Sequence, residues 1–172
     1  GASTWDCNGC VHVYPTEGAE LPFVEGFETI EDLDDSGWHI MDDGPITWKL
    51  TGDAAHYGSN CIMLENFAID NEEVHTLTYK PVDVTNMGGG ETIYLTYWYS
   101  FAGTSGDNSD RFRVYMSTDC GENYSLKQQI NTPGLPTAEE SDLPFYPEQA
   151  GDWSFEVYEF EAGDISSSVS IQ

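Results

Sequence analysis

The sequence predicts an all-β fold, an antiparallel β-sandwich of the jelly-roll kind. Three observations predict it. Apolar residues alternate with a period of two along several short runs, the pattern of strands with one face buried. The longer periodicity of amphipathic helices is nearly absent. Clusters of Gly, Asn, Asp and Pro separate the runs at short intervals, as in sandwiches and barrels.

Taken in order, residues 1–18 close with Val-His-Val-Tyr-Pro-Thr-Glu-Gly, which reads as a strand at 11–14 followed by a linker. They are expected to be the tail of a preceding domain, with the sandwich occupying 19–172. Short alternating runs predict strands at 22–28, 38–41, 46–50, 61–65, 74–79 and 124–130. The strongest signal is 92–101, TIYLTYWYSF. There Ile93, Leu95, Tyr97, Tyr99 and Phe101 face one way, and Tyr94, Thr96, Trp98 and Ser100 the other. Both faces are bulky, which predicts a central strand covered on both sides. Residues 110–116, DRFRVYM, place Phe112, Val114 and Met116 inward and Arg111, Arg113 and Tyr115 outward. Trp153, Phe155 and Val157 alternate next, and Tyr158 and Phe160 then take the opposite parity, so a bulge or a second covered face is expected. Between these runs, 132–150 holds Pro133, Pro136, Pro144 and Pro147 and reads as a long surface loop. Residues 166–172 alternate like a strand and then stop, so the sandwich is expected to lack its last strand or strands in this chain.

The charge balance is lopsided, with 31 acidic residues against 5 basic ones and a formal net charge of -26. Phosphate contacts need Lys and Arg, so nucleic acid is not an expected partner. Anionic membrane surfaces are disfavoured for the same reason. No run approaches the ~18 apolar residues of a membrane span, so insertion is not expected either. Two readings of the acidity stand together: solubility in a salty exterior, and binding of calcium, which suits so many hard oxygen ligands. Disorder is not expected, because aromatic residues make up 13% of the chain and fall in the alternating runs. The chain reads as a mature piece of a secreted or cell-surface protein.

Cys7, Cys10, Cys61 and Cys120 form an even set. Outside the cell such a set suggests disulfides, here with three possible pairings. Cys7-Asn8-Gly9-Cys10 also matches a redox CxxC, but no helix-forming sequence follows it. As half of a zinc site it lacks a second pair at usable spacing. The preferred reading is a local Cys7–Cys10 disulfide at a turn, which leaves Cys61 to pair with Cys120.

Catalytic constellations are missing. His12, His39, His56 and His75 are scattered, and none forms the HExxH of zinc proteases. Gly-x-Ser-x-Gly is absent, and no Gly-rich phosphate loop opens a helix. A carboxylate pair of the glycosidase kind stays open, because acids are everywhere in the chain. Asp32-Leu33-Asp34-Asp35-Ser36-Gly37, with Asp43 at the twelfth position, matches part of an EF-hand loop. Strands rather than helices flank it, so it reads as a turn before the strand opened by Trp38. Of the tryptophans, Trp48 and Trp98 lie on the less apolar faces and are the candidates for a binding surface.

One series of short motifs carries a family resemblance. It runs through Leu21-Pro22-Phe23-Val24-Glu25-Gly26-Phe27-Glu28, Gly37-Trp38, Trp48, His56-Tyr57-Gly58-Ser59 and Lys80-Pro81-Val82-Asp83-Val84-Thr85. It continues through TYWYSF to Asp110-Arg111-Phe112-Arg113-Val114-Tyr115-Met116-Ser117-Thr118-Asp119-Cys120-Gly121. In order and spacing the series resembles the MAM-like or cleaved-adhesin jelly rolls of Bacteroidetes. It looks most similar to the domain that follows the PKD-like module in secreted cytophagalysin (pappalysin-like) metalloproteases. The resemblance implies a non-catalytic accessory or adhesion domain, with a catalytic zinc elsewhere in the parent protein. It implies contacts with neighbouring domains and with an extracellular protein or polysaccharide. It also implies a structural calcium near Glu28, with oxygens around Ser59 and with Asp42 or Asp70 as loop ligands. Two positions depart from the family pattern: His75 stands where relatives carry Asp, and Lys80 where they carry Ser. The alternatives to this reading are a carbohydrate-binding module and a hydrolase with a carboxylate-based site.

Overall fold

The computed structural model describes residues 18–33, 36–41, 44–66, 73–84, 91–106, 109–119, 121–160 and 168–171. Eleven strands lie among them: β1 (Ala19–Glu20), β2 (Trp38–Ile40), β3 (Lys49–Thr51), β4 (Cys61–Met63), β5 (Leu77–Tyr79), β6 (Val82–Asp83), β7 (Ile93–Tyr99), β8 (Arg111–Ser117), β9 (Ser125–Asn131), β10 (Ser154–Phe160) and β11 (Ser168–Ile171). A five-stranded sheet has the order β1-β6-β11-β8-β9. Three strand pairs complete the set: β10 with β7, β2 with β5, and β3 with β4. The pairings are antiparallel except β1 with β6, which is parallel. The fold is therefore all-β and sandwich-like.

The inner side of the β7–β10 pair is one wall of the core. Ile93, Leu95, Tyr158 and Phe160 meet Ala19, Val82 and Met116 of the large sheet, with Tyr79 and Trp38 of β5 and β2 at the side. Further along, the Tyr99 ring stacks on Phe112 of β8 at 6.0 Å. One polar strut crosses the same layer. The Tyr97 hydroxyl donates to Gln128 Oε1 at 2.9 Å, and Gln128 Nε2 donates to Glu156 Oε2 at 2.8 Å. Tyr97 and Glu156 face each other across β7 and β10, so the chain of bonds ties that pair to β9. This is how a carboxylate is accommodated on an inward-facing position.

Several expectations hold and several change. Phe112, Val114 and Met116 point inward as their alternation predicts, and Val114 and Met116 are buried. Ahead of β2, which opens at Trp38 as expected, Ser36 N–H and its hydroxyl both donate to the Leu33 carbonyl. The loop at 132–150 is free of strand, and hydrogen bonds fix it in place. Thr137 N–H donates to the Phe101 carbonyl, and the Thr137 hydroxyl donates to the Asp152 carbonyl.

The predicted strand at 22–28 is not formed. Pro22 has no N–H to give to a ladder, and Phe27 has φ 61°, in the left-handed region that strands do not use. Its N–H is taken by Glu25 Oε1 at 2.7 Å instead. The parity change in β10 involves no bulge. Its register against β7 is unbroken from Ser154↔Tyr99 to Phe160↔Ile93, so the strand simply has two apolar faces. An irregularity lies instead between Val114 and Tyr115 on β8. The central-strand expectation for β7 also changes. Its outward residues Tyr94, Thr96 and Trp98 are exposed to solvent rather than covered.

Cys61 is a free thiol, so the expected Cys61–Cys120 disulfide is not formed. Cys61 lies on β4, paired with β3. Burial, and secondarily the Asp53 carboxylate, push the Cys61 thiol pKa up. The expected strand at 11–14, Cys7, Cys10 and Cys120 lie outside the described residues.

Candidate functional site

The outward face of β7 and β10 carries the most distinctive surface. Because the register is regular, three side-chain pairs stand opposite each other: Trp98 with Phe155, Thr96 with Val157, and Tyr94 with Glu159. All six lie on the solvent side. Trp98 is 45% exposed, Phe155 48%, Val157 49% and Tyr94 55%. The Trp98 and Phe155 rings lie 4.9 Å apart at 40°, a cross-strand aromatic contact. Large rings are normally buried for the apolar area they remove from water. Here Trp98 and Phe155 stand side by side in solvent, with Tyr94 beyond the Thr96–Val157 pair.

A loop from another part of the chain completes this surface. The His56 ring stacks on Trp98 at 3.8 Å and 12°, and it meets Trp153 edge-on at 5.6 Å. Trp153 follows the 3-10 turn at Ala150–Asp152, whose Asp152 carbonyl accepts from the Ser100 hydroxyl at 2.6 Å. The loop bearing His56 is pinned by Glu28, whose Oε1 accepts the Ser59 N–H at 2.7 Å and the Asn60 N–H at 2.9 Å. Gly58 makes this approach possible. Its φ of 81° is left-handed, and a Cβ there would collide with the Glu28 carboxylate. Glu28 is itself aimed by the left-handed Phe27, whose ring packs on Trp38 at 5.8 Å. The segment at 25–28 thus holds the loop, and the loop sets His56 against Trp98.

The residues expected to hold calcium are only partly placed. Glu28 and Ser59 do come together, but through the Ser59 N–H rather than an oxygen. Backbone N–H groups converging on one carboxylate oxygen form an anion nest and repel a cation on that side. Among the described residues no group of three or more His, Cys, Asp or Glu side chains is arranged to hold a metal. Asp42 and Asp70 lie outside the described residues. Of the expected set, Glu28 and Ser59 lie among the described residues, so the calcium stays an expectation carried by the family resemblance. His75, at the position of a family Asp, lies 3.6 Å from Glu73 Oε2.

The two tryptophans proposed for binding separate. Trp98 is at the centre of the exposed face. Trp48 is half-buried, and its indole N–H donates to the His75 carbonyl at 3.4 Å. His56, Trp153, Phe155 and Tyr94 were not singled out by sequence for this surface. Once β10 is paired with β7, the matched parity of Phe155 and Trp98 is the signal that finds Phe155.

An open cleft of about 660 Å³ lies elsewhere, lined by Glu20, Leu21, Pro22, Asp83, Glu91, Thr92 and Ile93. It gathers carboxylates, and among the described residues its lining holds no histidine, cysteine or basic side chain to pair with them in acid–base or nucleophilic work. Comparison with protein-family models, with curated proteins and with solved structures returns no match.

Proposed function

We propose that this chain is a non-catalytic accessory domain of a secreted multidomain protein, and that it engages its target through the β7–β10 face. The observation that carries this reading is the solvent-facing row of Tyr94, Trp98, Phe155 and Val157, with His56 stacked against Trp98. Rigid aromatic side chains give large contact area at small entropic cost, and they dominate binding energy in recognition surfaces. The resemblance to jelly rolls of secreted metalloproteases supports the accessory role and a zinc protease as the parent.

A second reading draws on the same feature: exposed rings also stack on sugars, as a carbohydrate-binding module requires. Both are tested by passing a panel of extracellular proteins and polysaccharides over the immobilised full chain, wild type beside Trp98→Ala. The expected result is retention of at least one panel member, weakened about tenfold or more in a folded Trp98→Ala variant. A variant that binds as the wild type does would remove the face from the proposal. Turnover of peptide, ester or glycoside substrates above background would move the reading to a hydrolase.

A further inference from the structure

We infer that the occupant of the β7–β10 face is a basic polypeptide segment, with Arg or Lys side chains seated on the rings of Trp98, Phe155 and Tyr94. This rests on the proposed reading of that face as the binding surface, and charge decides among the possible occupants. The chain carries a net charge of -26. Its 5 basic residues all lie elsewhere: Lys49 on β3, Lys80 after β5, Arg111 and Arg113 on β8, and Lys127 on β9. Among the described residues of β7 and β10, the charged side chain on this face is Glu159, exposed opposite Tyr94. A second copy of this chain brings the same negative charge and is repelled, as is an anionic polysaccharide. A neutral sugar uses the rings but gains nothing from the field.

A cationic segment uses both. The negative field of the whole chain draws it in, and the π-faces of exposed Trp and Tyr attract guanidinium and ammonium groups. His56, stacked on Trp98, holds the indole in one orientation before binding, so less freedom is lost on contact.

The test is calorimetric titration of the full chain with deca-arginine, deca-lysine and cellohexaose at about 0.15 M salt, where charges screen over about 8 Å. Deca-arginine is expected to bind more tightly than deca-lysine, because guanidinium stacks on rings as well as carrying charge. Trp98→Ala leaves the net charge unchanged and is expected to weaken deca-arginine about tenfold. Neutralising two exposed acids of the five-stranded sheet, Glu20→Gln on β1 with Glu122→Gln between β8 and β9, is expected to weaken it less than about twofold. Tyr94→Ala, at a more exposed ring, serves if Trp98→Ala does not fold. Deca-arginine binding indifferent to both ring variants is bulk charge attraction and overturns the inference. Ring-dependent binding of cellohexaose without deca-arginine also overturns it while keeping the face as a binding surface. A wild-type dimer that Trp98→Ala dissociates gives the face to a second copy. No ring dependence with any probe removes both the occupant and the face.

Discussion

Glu28 is solvent-exposed, yet one of its oxygens is committed to the backbone N–H groups of Ser59 and Asn60. The family resemblance implied a calcium shared by Glu28 and oxygens around Ser59, not a direct bond from the Ser59 N–H, because a residue name does not say whether its N–H or its oxygen faces the neighbour. If the clamp holds the loop, Glu28→Ala will speed hydrogen exchange at the Ser59 and Asn60 amides about tenfold, as expected for loss of bonds to a charged acceptor. Unchanged exchange at both amides would refute the clamp. Asp119 is the second carboxylate with a defined job. The Asn123 side chain, the Asn123 N–H and the Ser117 hydroxyl hydrogen-bond it, and they hold its pKa at about 2. Folding thus favours the ionised form. The stabilisation is complete above the ordinary carboxylate range and is lost as pH falls from about 4 through about 2. A carboxyl NMR titration should place the Asp119 midpoint near 2, whereas a midpoint near 4 would show that the bonds from Asn123 and Ser117 to Asp119 do not form as described.

At the scale of elements, β10 shows what patterning can and cannot resolve. Its alternation predicted a strand, and a strand of seven residues is present. Which of its two apolar faces is buried was not legible. Glu156 lies on the same side as Tyr158 and Phe160, and a charge on one side normally marks that side as solvent-facing. Glu159 lies on the other side, so charge does not choose between the faces, and it is the strut from Tyr97 through Gln128 that satisfies Glu156 on the buried one. Burial first, then the Glu156 and Tyr99 neighbours, push the Tyr97 hydroxyl pKa above its ordinary range, so it remains a donor at any physiological pH. Tyr97→Phe keeps the ring contact with Phe112 but leaves Gln128 Oε1 without its donor. The expected cost is about 1–2 kcal/mol in urea unfolding with an unchanged m-value. A neutral result would mean that the strut contributes nothing to holding the two layers together.

For the molecule as a whole, alternation and turn chemistry made the all-β class legible. Sheet order was not legible, because β6 and β11 come together from residues about 90 positions apart and no local pattern encodes such a pairing. The exposed face escaped for a related reason: it exists only once β7, β10 and the His56 loop are assembled. Composition speaks most directly to the field of the folded chain. With a net charge of -26, compaction concentrates like charge, and repulsion falls as salt screens it. Raising sodium chloride from about 0.01 M to about 1 M shortens the screening length from about 30 Å to about 3 Å. The melting temperature is therefore expected to rise by about 4 °C or more, on the scale of 2–4 °C per kcal/mol for a chain of this size. A flat or falling curve would mean that the acids are spread too widely to repel one another. The same measurement tests the calcium proposed from Glu28, Asp42, Ser59 and Asp70. Calcium at about 1 mM, compared with sodium chloride at equal ionic strength, is expected to add a further rise, because a bound ion stabilises by mass action and not by screening. Coincident curves would leave Glu28 as a clamp for the His56 loop, with its two amide donors as its partners.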